Sequence, residues 1–296
     1  MKNPLFYRIS QIIAFLLGAR IFVAMLLTFA LYVSTFFLFN EEESLREFVF
    51  DFKVHGIIFC TVLSILSGGI INQFYDREKD QLTKPFRSKL QRFLNQKYFL
   101  YAYLTLSIIS LTVALLISFR VFIFFVIYQF FMWFYSHKLS KILVANNISF
   151  VSLTLYPFFG MMVYYQTFSA KVFVMAVFLF LILLLIDIIK DLLTKNADKM
   201  FGYTTLPNRF GNALTQNVVI FLCFSAMLTS AIIVGTSGAN RILHYYFLTG
   251  IAILLIIVFL FLKKTQKYSF ISINILRIWV FMGIIAMLAD GIAGKL

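Results

Sequence analysis

Residues 172–191 read VFVMAVFLFLILLLIDIIKD, and this stretch decides the fold. Residues 172–186 carry no polar side chain, and the whole stretch has the length of about 20 residues that an α-helix needs to cross a bilayer. Charged residues come only at its end, where Asp187, Lys190 and Asp191 stand. The stretch therefore predicts a transmembrane helix that ends in acidic residues.

The rest of the chain repeats this apolar pattern. Hydrophobic residues make up 61% of the 296 residues and charged residues only 13%, whereas soluble domains average roughly 45–50% and about 25%. We predict an all-α polytopic membrane protein with about nine transmembrane helices in a single bundle with a central cavity open to lipid, and residues 1–296 as one domain. Residues 3–17 are expected to form an interfacial helix. The predicted spans are 18–39, 54–75, 98–118, 120–137, 147–168, 172–191, 214–235, 242–262 and 269–290.

The basic residues indicate an orientation rather than a nucleic-acid partner. The net charge is +14, but the cations are scattered between apolar runs instead of grouped on a polar domain. Of the 26 Lys and Arg residues, 18 fall at the N-terminus and in the loops after the even-numbered spans, and 6 fall on the opposite side. The positive-inside rule then places the even-numbered loops in the cytoplasm. We expect a multi-pass protein of the cell inner membrane that binds no nucleic acid.

All six acidic residues on the expected cytoplasmic side fall into two clusters, and the other six of the twelve lie on the opposite side. Asp76, Glu78 and Asp80 lie at the end of span two, and Asp187, Asp191 and Asp198 lie at the end of span six, four spans later. Within each cluster the spacing is helical: Asn72, Asp76 and Asp80 are four residues apart, as are Asp187 and Asp191, so each set projects from one side of a helix. Acidic residues at membrane depth are costly and indicate a functional site.

This pattern favours one Mg²⁺–diphosphate site formed by both clusters. Mg²⁺ binds one or two carboxylates together with phosphate oxygens, and two facing rows of acids would otherwise repel. Basic residues follow each cluster, among them Lys84 and Arg87 after the first and Lys190 within the second. The alternative is that the acids only cap helix ends and pair with neighbouring lysines. That alternative explains a single cluster well, and two clusters at matching positions poorly.

These residues resemble the motifs of the UbiA superfamily of intramembrane polyprenyl transferases. Its first motif, N-x3-D-x3-D followed by K-P-x-R, is matched by residues 72–80 and 84–87. One branch of the family, which includes digeranylgeranylglyceryl phosphate synthases and homogentisate prenyltransferases, has a second motif K-D…D-x3-G-x2-T-L-P. The chain matches it with Lys190, Asp191, Asp198, Gly202, Thr205, Leu206, Pro207 and Gly211, and it matches the family's segment after span four with Tyr135, Ser136, Lys141 and Asn147.

The resemblance implies Mg²⁺-dependent transfer of a polyprenyl group from its diphosphate to a small lipophilic or aromatic acceptor, within membrane lipid. The acceptor is either an aromatic quinone precursor or a prenylglyceryl phosphate. Catalytic roles are implied for Asp76, Asp80, Lys84, Arg87, Tyr135, Lys141 and Lys190; substrate binding for Asn72, Arg20, Lys141 and Arg87; and metal binding for Asn72, Asp76, Asp80, Asp187, Asp191 and Asp198.

Three positions depart from the family pattern. Thr194 stands where the second motif usually has an aspartate, Ser140 where a lysine is common, and Ser88 where a proline follows the arginine of the first motif. Thr194 keeps open a family member, or a transporter, that binds prenyl diphosphates without transfer. A CDP-alcohol phosphotransferase would also use paired aspartates, but its D-G-x2-A-R segment is absent from the sequence.

Overall fold

The structure is a computed structural model of the chain, and it describes residues 4–39, 44–85, 88, 96–236, 241–263 and 266–295. Over these residues the secondary structure is helical. The α-helices are α1 (Pro4–Gly18), α2 (Ile21–Ser34), α3 (Leu45–Phe50), α4 (Phe52–Tyr75), α5 (Arg77–Thr83), α6 (Gln96–Ile117), α7 (Phe119–His137), α8 (Ala145–Tyr164), α9 (Ala170–Met200), α10 (Leu206–Thr236), α11 (Ile242–Leu262) and α12 (Gln266–Lys295).

Nine segments of the described chain are long and apolar enough to cross a membrane, which confirms the predicted class and number of spans. They are Ile21–Phe39, Phe52–Tyr75, Lys97–Ile117, Phe119–His137, Ala145–Tyr164, Ala170–Met200, Leu206–Thr236, Ile242–Leu262 and Lys267–Gly294. The additional N-terminal helix α1 covers nearly the same residues as the helix predicted at 3–17, and its interfacial position stays a prediction. The protein is therefore a multi-pass integral membrane protein.

Two helices differ in length from the predicted spans. Helix α9 continues nine residues beyond the predicted end at 191, to Met200, so all three acids of the second cluster lie on one helix. Helix α10 begins at Leu206 instead of 214, but its backbone breaks at Gly211, where φ is 82° and ψ is 172°. This region of backbone conformation is open essentially to glycine alone. The predicted span 214–235 corresponds to the part of α10 after this break.

The chain divides into two compact units. Unit 1 comprises the described parts of residues 1–32 and 42–140, and unit 2 those of residues 33–41 and 141–296. The first acidic cluster lies in unit 1 and the second in unit 2. A single bundle with a central cavity stays a prediction from the sequence.

In unit 1, helix α4 packs against α6 and α7 through buried polar side chains as well as apolar ones. The Ser64 and Ser110 hydroxyls lie 3.1 Å apart, and Gln129 Nε2 donates to Ser64 Oγ at 3.1 Å. Ser110 also donates to the Cys60 carbonyl at 3.0 Å. Small polar residues of this kind let membrane helices approach closely and hydrogen-bond across the interface, at roughly 0.6–2 kcal/mol for each bond.

In unit 2, helix α9 packs against α8, α10 and α12 around an apolar core. The ring of Phe178 on α9 lies 5.1 Å from Phe247 on α11 and 5.5 Å from Trp279 on α12, both edge-to-face. Gly250 allows this arrangement because a Cβ there would overlap the Trp279 indole. The core fixes the rotation of α9 and therefore the side on which its acids project.

The short helix α3 begins with a capping box. Ser44 Oγ accepts from the Glu47 amide, and the Glu47 carboxylate accepts from the Ser44 amide and hydroxyl, both at 3.0 Å. These hydrogen bonds lower the pKa of Glu47 below its ordinary value. These hydrogen bonds satisfy backbone amides at the start of α3 and fix where that helix begins.

Candidate functional site

The first acidic cluster lies where α4 ends and α5 begins. Asp76 stands at the junction with φ of −91° and ψ of 8°, and its amide still donates to the Asn72 carbonyl at 2.9 Å. The amides of Asp80 and Lys84 donate in turn to the carbonyls of Asp76 and Asp80, each at 2.8 Å. The turn of the helix therefore continues across the junction. Asn72, Asp76 and Asp80 remain on one side, as their spacing predicts.

Two acids of this cluster, Asp76 and Asp80, have a partner close by on the same side of the helix. Asn72 Nδ2 donates to Asp76 Oδ2 at 2.8 Å, and Lys84 Nζ contacts Asp80 Oδ1 at 2.8 Å. Asn72 and Asp80 are buried, Asp76 is half-buried and Lys84 is exposed. The cluster thus consists of carboxylate and amide oxygens, which are the kind of ligand that binds hard divalent cations.

Arg20 lies next to the helix that carries this cluster. Its backbone has φ of 56°, in the left-handed region, and it ends the turn between α1 and α2. Its Cγ lies 3.3 Å from where a Cβ of Gly69 would be, one helical turn before Asn72. The predicted substrate-binding arginine therefore lies beside α4, about one helical turn from Asn72.

Gly69 allows this close contact, and we expect Gly69→Ala to destabilise the protein by about 1–3 kcal/mol through overpacking. A Cβ at this position would lie 2.9 Å from the Ala19 carbonyl oxygen, and a backbone atom cannot move aside without shifting the turn. Gly68→Ala is the matched control, because a Cβ there meets only the flexible end of Met132. Both changes gain about 1 kcal/mol of helix propensity. Thermal unfolding in detergent should show the loss for Gly69→Ala, and equal midpoints would contradict the packing argument.

The second cluster is more deeply buried than the first. The residues Asp187, Asp191 and Asp198 on α9 expose 1%, 2% and 0% of their surface. Lys190 forms ion pairs with both neighbouring acids: its ammonium group contacts Asp187, and it lies 3.5 Å from Asp191 Oδ1. Buried charges are tolerated only when they are paired and hydrogen-bonded, and Lys190 supplies part of that compensation.

Asn147 provides further compensation from a neighbouring helix. Its Nδ2 atom, near the start of α8, donates to Asp187 Oδ2 at 2.7 Å and to Asp191 Oδ2 at 2.9 Å. A single buried amide therefore holds the two carboxylates with one oxygen of each directed to the same point. Asn147 is part of the family motif, but the sequence pattern predicted no role for it. Because the contact joins residues 40 and 44 positions apart, helical spacing could not reveal it.

A strained turn fixes Asn147 in this position. Val144 has φ of 65° and ψ of −44°, and the Ala145 amide donates to the Leu143 carbonyl at 2.7 Å, which is the geometry of a γ-turn. A positive φ is costly for a β-branched residue, and such strain collects near functional sites. The turn reverses the chain directly before α8, so Asn147 lies in the first turn of that helix.

Lys141 is connected to the far end of α9. Its carbonyl accepts from the Thr204 amide at 3.1 Å, and its ammonium group lies 5.5 Å from the centre of the Tyr203 ring. The Tyr203 amide in turn donates to the Asp198 carbonyl at 2.9 Å. The loop that carries Lys141 is thus fastened to the helix end that carries Asp198.

Three other residues singled out from the sequence are Tyr135, Ser140 and Arg87. Tyr135 lies half-buried on α7 in unit 1, and its catalytic role stays a prediction. Ser140, in the position where a lysine is common, is buried. Arg87 lies outside the described residues.

The donor set of both clusters fits Mg²⁺. Carboxylate and amide oxygens are the ligands that hard cations prefer, and no Cys or His side chain takes part in the contacts described above. Among the residues that the structure describes, no group of three or more His, Cys, Asp and Glu side chains is arranged to hold a metal ion by itself. Mg²⁺ is usually held by one or two carboxylates while water and substrate phosphates complete its coordination.

Fold and side chains together define a multi-pass membrane protein with two carboxylate clusters, the first partly buried and the second almost completely buried, each paired with a lysine and an asparagine amide. Residues 46–281, well over half of the chain, match the UbiA prenyltransferase family. The chain belongs to this family and is a prenyltransferase, as the resemblance of its motifs predicted.

Individual relatives agree with this assignment, and solved structures share the fold. The chain is 27% identical over 240 residues, 80% of its length and 85% of the relative's, to the digeranylgeranylglyceryl phosphate synthase of Thermococcus gammatolerans. It is also 27% identical to that of Pyrococcus furiosus, over 61% of this chain and 65% of the relative. A structure from work on digeranylgeranylglyceryl phosphate synthase in membranes superimposes with a TM-score of 0.69 at 20% identity, over 97% of this chain and 99% of the other. A UbiA homologue from Archaeoglobus fulgidus bound to GPP and Mg²⁺ gives 0.65 at 15% identity, over 93% and 99%.

Proposed function

We propose that the protein transfers a polyprenyl group from its diphosphate to a prenylglyceryl phosphate, with Mg²⁺ and with release of pyrophosphate. The observation that carries the proposal is the pair of acidic clusters, each held by an amide and a lysine, in a chain of this family. The acceptor class follows the named function of the relatives and the K-D…T-L-P form of the second motif. An aromatic quinone precursor is the alternative acceptor.

In the proposed reaction the bond between the allylic carbon and the diphosphate oxygen breaks. Pyrophosphate leaves with the electron pair, and the allylic carbon bonds to the acceptor, which loses a proton. The chain's task is to stabilise the negative charge that develops on the leaving group where little water is present. When bound, Mg²⁺ would neutralise part of that charge.

We assign the metal-binding role to Asn72, Asp76 and Asp80 in the first cluster and to Asp187, Asp191 and Asp198 in the second. Lys84 and Lys190 are adjacent to these acids and can share their charge with phosphate oxygens, because a lysine ammonium carries three donor hydrogens. Arg20, Arg87 and Lys141 are proposed to contact the donor, and Tyr135 to flank the allylic group. That both clusters act on the same diphosphate is proposed from their matching sequence pattern.

We also propose that these residues face the cytoplasm from the inner membrane. The support is the distribution of 18 Lys and Arg residues against 6. Both clusters lie at the ends of spans that the same count places on the cytoplasmic side.

The function is tested with inside-out membrane vesicles that contain the protein, Mg²⁺ and labelled geranylgeranyl diphosphate. Each acceptor is offered separately, and product and pyrophosphate are followed. We expect product with the prenylglyceryl phosphate, and its abolition by a chelator of divalent cations. Product with the aromatic precursor alone would overturn the acceptor assignment, and no product with either would overturn catalysis by prenyl transfer.

Sealed right-side-out vesicles are the control for orientation. A prenyl diphosphate added from outside cannot cross the bilayer with its charges, so these vesicles should be inactive until detergent opens them. Equal activity of both intact preparations would contradict the cytoplasmic placement.

A further inference from the structure

The departure at Thr194 has a defined structural consequence. Its hydroxyl donates to Asp198 Oδ2 at 2.6 Å, and it also lies 3.2 Å from the Lys190 carbonyl of its own helix. A hydroxyl has one hydrogen, and the shorter contact to the carboxylate is the stronger, because hydrogen bonds to an ionised acceptor are about twice as strong as neutral ones. Thr194 thus holds the most deeply buried acid of the second cluster in one orientation.

The residue at position 194 also determines the net charge of the second cluster. Three aspartates and Lys190 together carry a net charge of −2, which a single divalent cation would balance. Lys195 is directed elsewhere, since its Nζ donates to Asn212 on α10 at 2.8 Å. The aspartate that the family usually has at position 194 would make the net charge more negative, at −3. It would also put two carboxylates at the distance of a hydrogen bond. Such a pair is repulsive unless cations or protons separate the charges.

We propose that Thr194 is a positioning residue. It orients Asp198 with an uncharged hydrogen-bond donor, and it keeps the net charge of the second cluster at −2, which one divalent cation balances. The residue acts through Asp198 and has no contact of its own with the reacting atoms. The inference deepens the proposed function, on which it rests, because it concerns the cation of that same site. It also gives the departure from the family motif a role compatible with prenyl transfer.

The test uses purified full-length protein in detergent, without donor or acceptor. Asp76→Asn is introduced as a common background, so that cation binding reports on the second cluster. In this background Thr194→Val removes the donor at nearly constant volume, Thr194→Ser retains it, and Thr194→Asp adds a carboxylate. Mn²⁺ is the probe, with bound ion counted by its paramagnetic resonance, and thermal unfolding is recorded with and without Mn²⁺.

We expect the parent to bind one Mn²⁺ and Thr194→Ser to match it. Thr194→Val should bind Mn²⁺ about 10-fold more weakly, the lower range for loss of a residue that supports a metal ligand. Thr194→Asp should unfold several degrees lower than the parent without Mn²⁺, and addition of the ion should recover most of that difference. The inference is overturned if Thr194→Val binds Mn²⁺ as the parent does, or if Mn²⁺ stabilises Thr194→Asp no more than the parent.

These readouts separate the inference from the proposed function. If no acceptor is prenylated in vesicles, Mn²⁺ binding and unfolding still report on Thr194. If the vesicles are active and the Thr194 variants behave alike, only the inference fails.

Discussion

Asp76→Asn is expected to lower prenyl transfer by about 10²–10³-fold, the range found when one group that stabilises transition-state charge is removed. The exchange keeps the shape of the side chain and removes its negative charge. Asp76 lies at the junction between α4 and α5, where Asn72 donates to it at 2.8 Å. An amide at this position can accept the same hydrogen bond but is a weak ligand for Mg²⁺. The loss should therefore fall on catalysis while folding is preserved.

Glu78→Gln is the matched control for this experiment. Glu78 is only two residues away, in the first turn of α5, but it is exposed and lies off the side shared by Asn72, Asp76 and Asp80. Initial rates of pyrophosphate release should be measured at equal amounts of folded protein, with thermal unfolding as the check. If Asp76→Asn and Glu78→Gln retain equal activity, the assignment of the first cluster as the metal site is wrong.

Most of the fold could be predicted from the sequence because membrane spans follow from length and hydropathy alone. The hydrocarbon layer sets a minimum of about 20 apolar residues, and each predicted segment overlaps an observed helix. The prediction failed where polar residues continue a helix. Residues 192–200 are too polar to be counted in a span, yet α9 continues through them, with a hydrogen bond between Thr194 and Asp198 one turn apart.

The first cluster was predictable for a different reason: its contacts are local. Asn72 with Asp76 and Asp80 with Lys84 are pairs four residues apart, so helical geometry alone brings them together. In the second cluster, Lys190 and Thr194 contact the acids through the same kind of spacing. The bond from Thr194 could therefore have been found from the sequence.

The contact of Asn147 with the second cluster could not be predicted from helical spacing. Its contact with Asp187 and Asp191 depends on the packing of α8 against α9 and on the turn at Val144, and neither leaves a periodic signal. A buried amide at membrane depth is a weak hint by itself, because asparagines in membrane helices also bond to their own backbone. Asn274 does so, donating to the Phe270 carbonyl at 3.0 Å.

Asn147→Ala is expected to lower transfer by about 10–100-fold, as loss of a residue that orients metal ligands typically does. The two carboxylates would lose their shared donor, and their negative charges would repel without it. Each is almost completely buried, so the change should also destabilise the protein by about 1–3 kcal/mol. Asn147→Asp should be worse, because it adds a fourth buried carboxylate to a cluster whose aspartates are compensated in part by Lys190.

Asn274→Ala provides the control, since it removes an asparagine whose amide bonds only within its own helix turn in the described contacts. Activity and unfolding should be compared at several Mg²⁺ concentrations. If Asn147 orients metal ligands, its alanine variant should need more Mg²⁺ for half-maximal rate, and saturating Mg²⁺ should restore part of the activity. A purely structural role would lower the unfolding temperature and leave that Mg²⁺ requirement unchanged, which would remove Asn147 from the site. Loss that only Asn147→Ala shows, and that Mg²⁺ partly reverses, would place the amide beside the proposed cation.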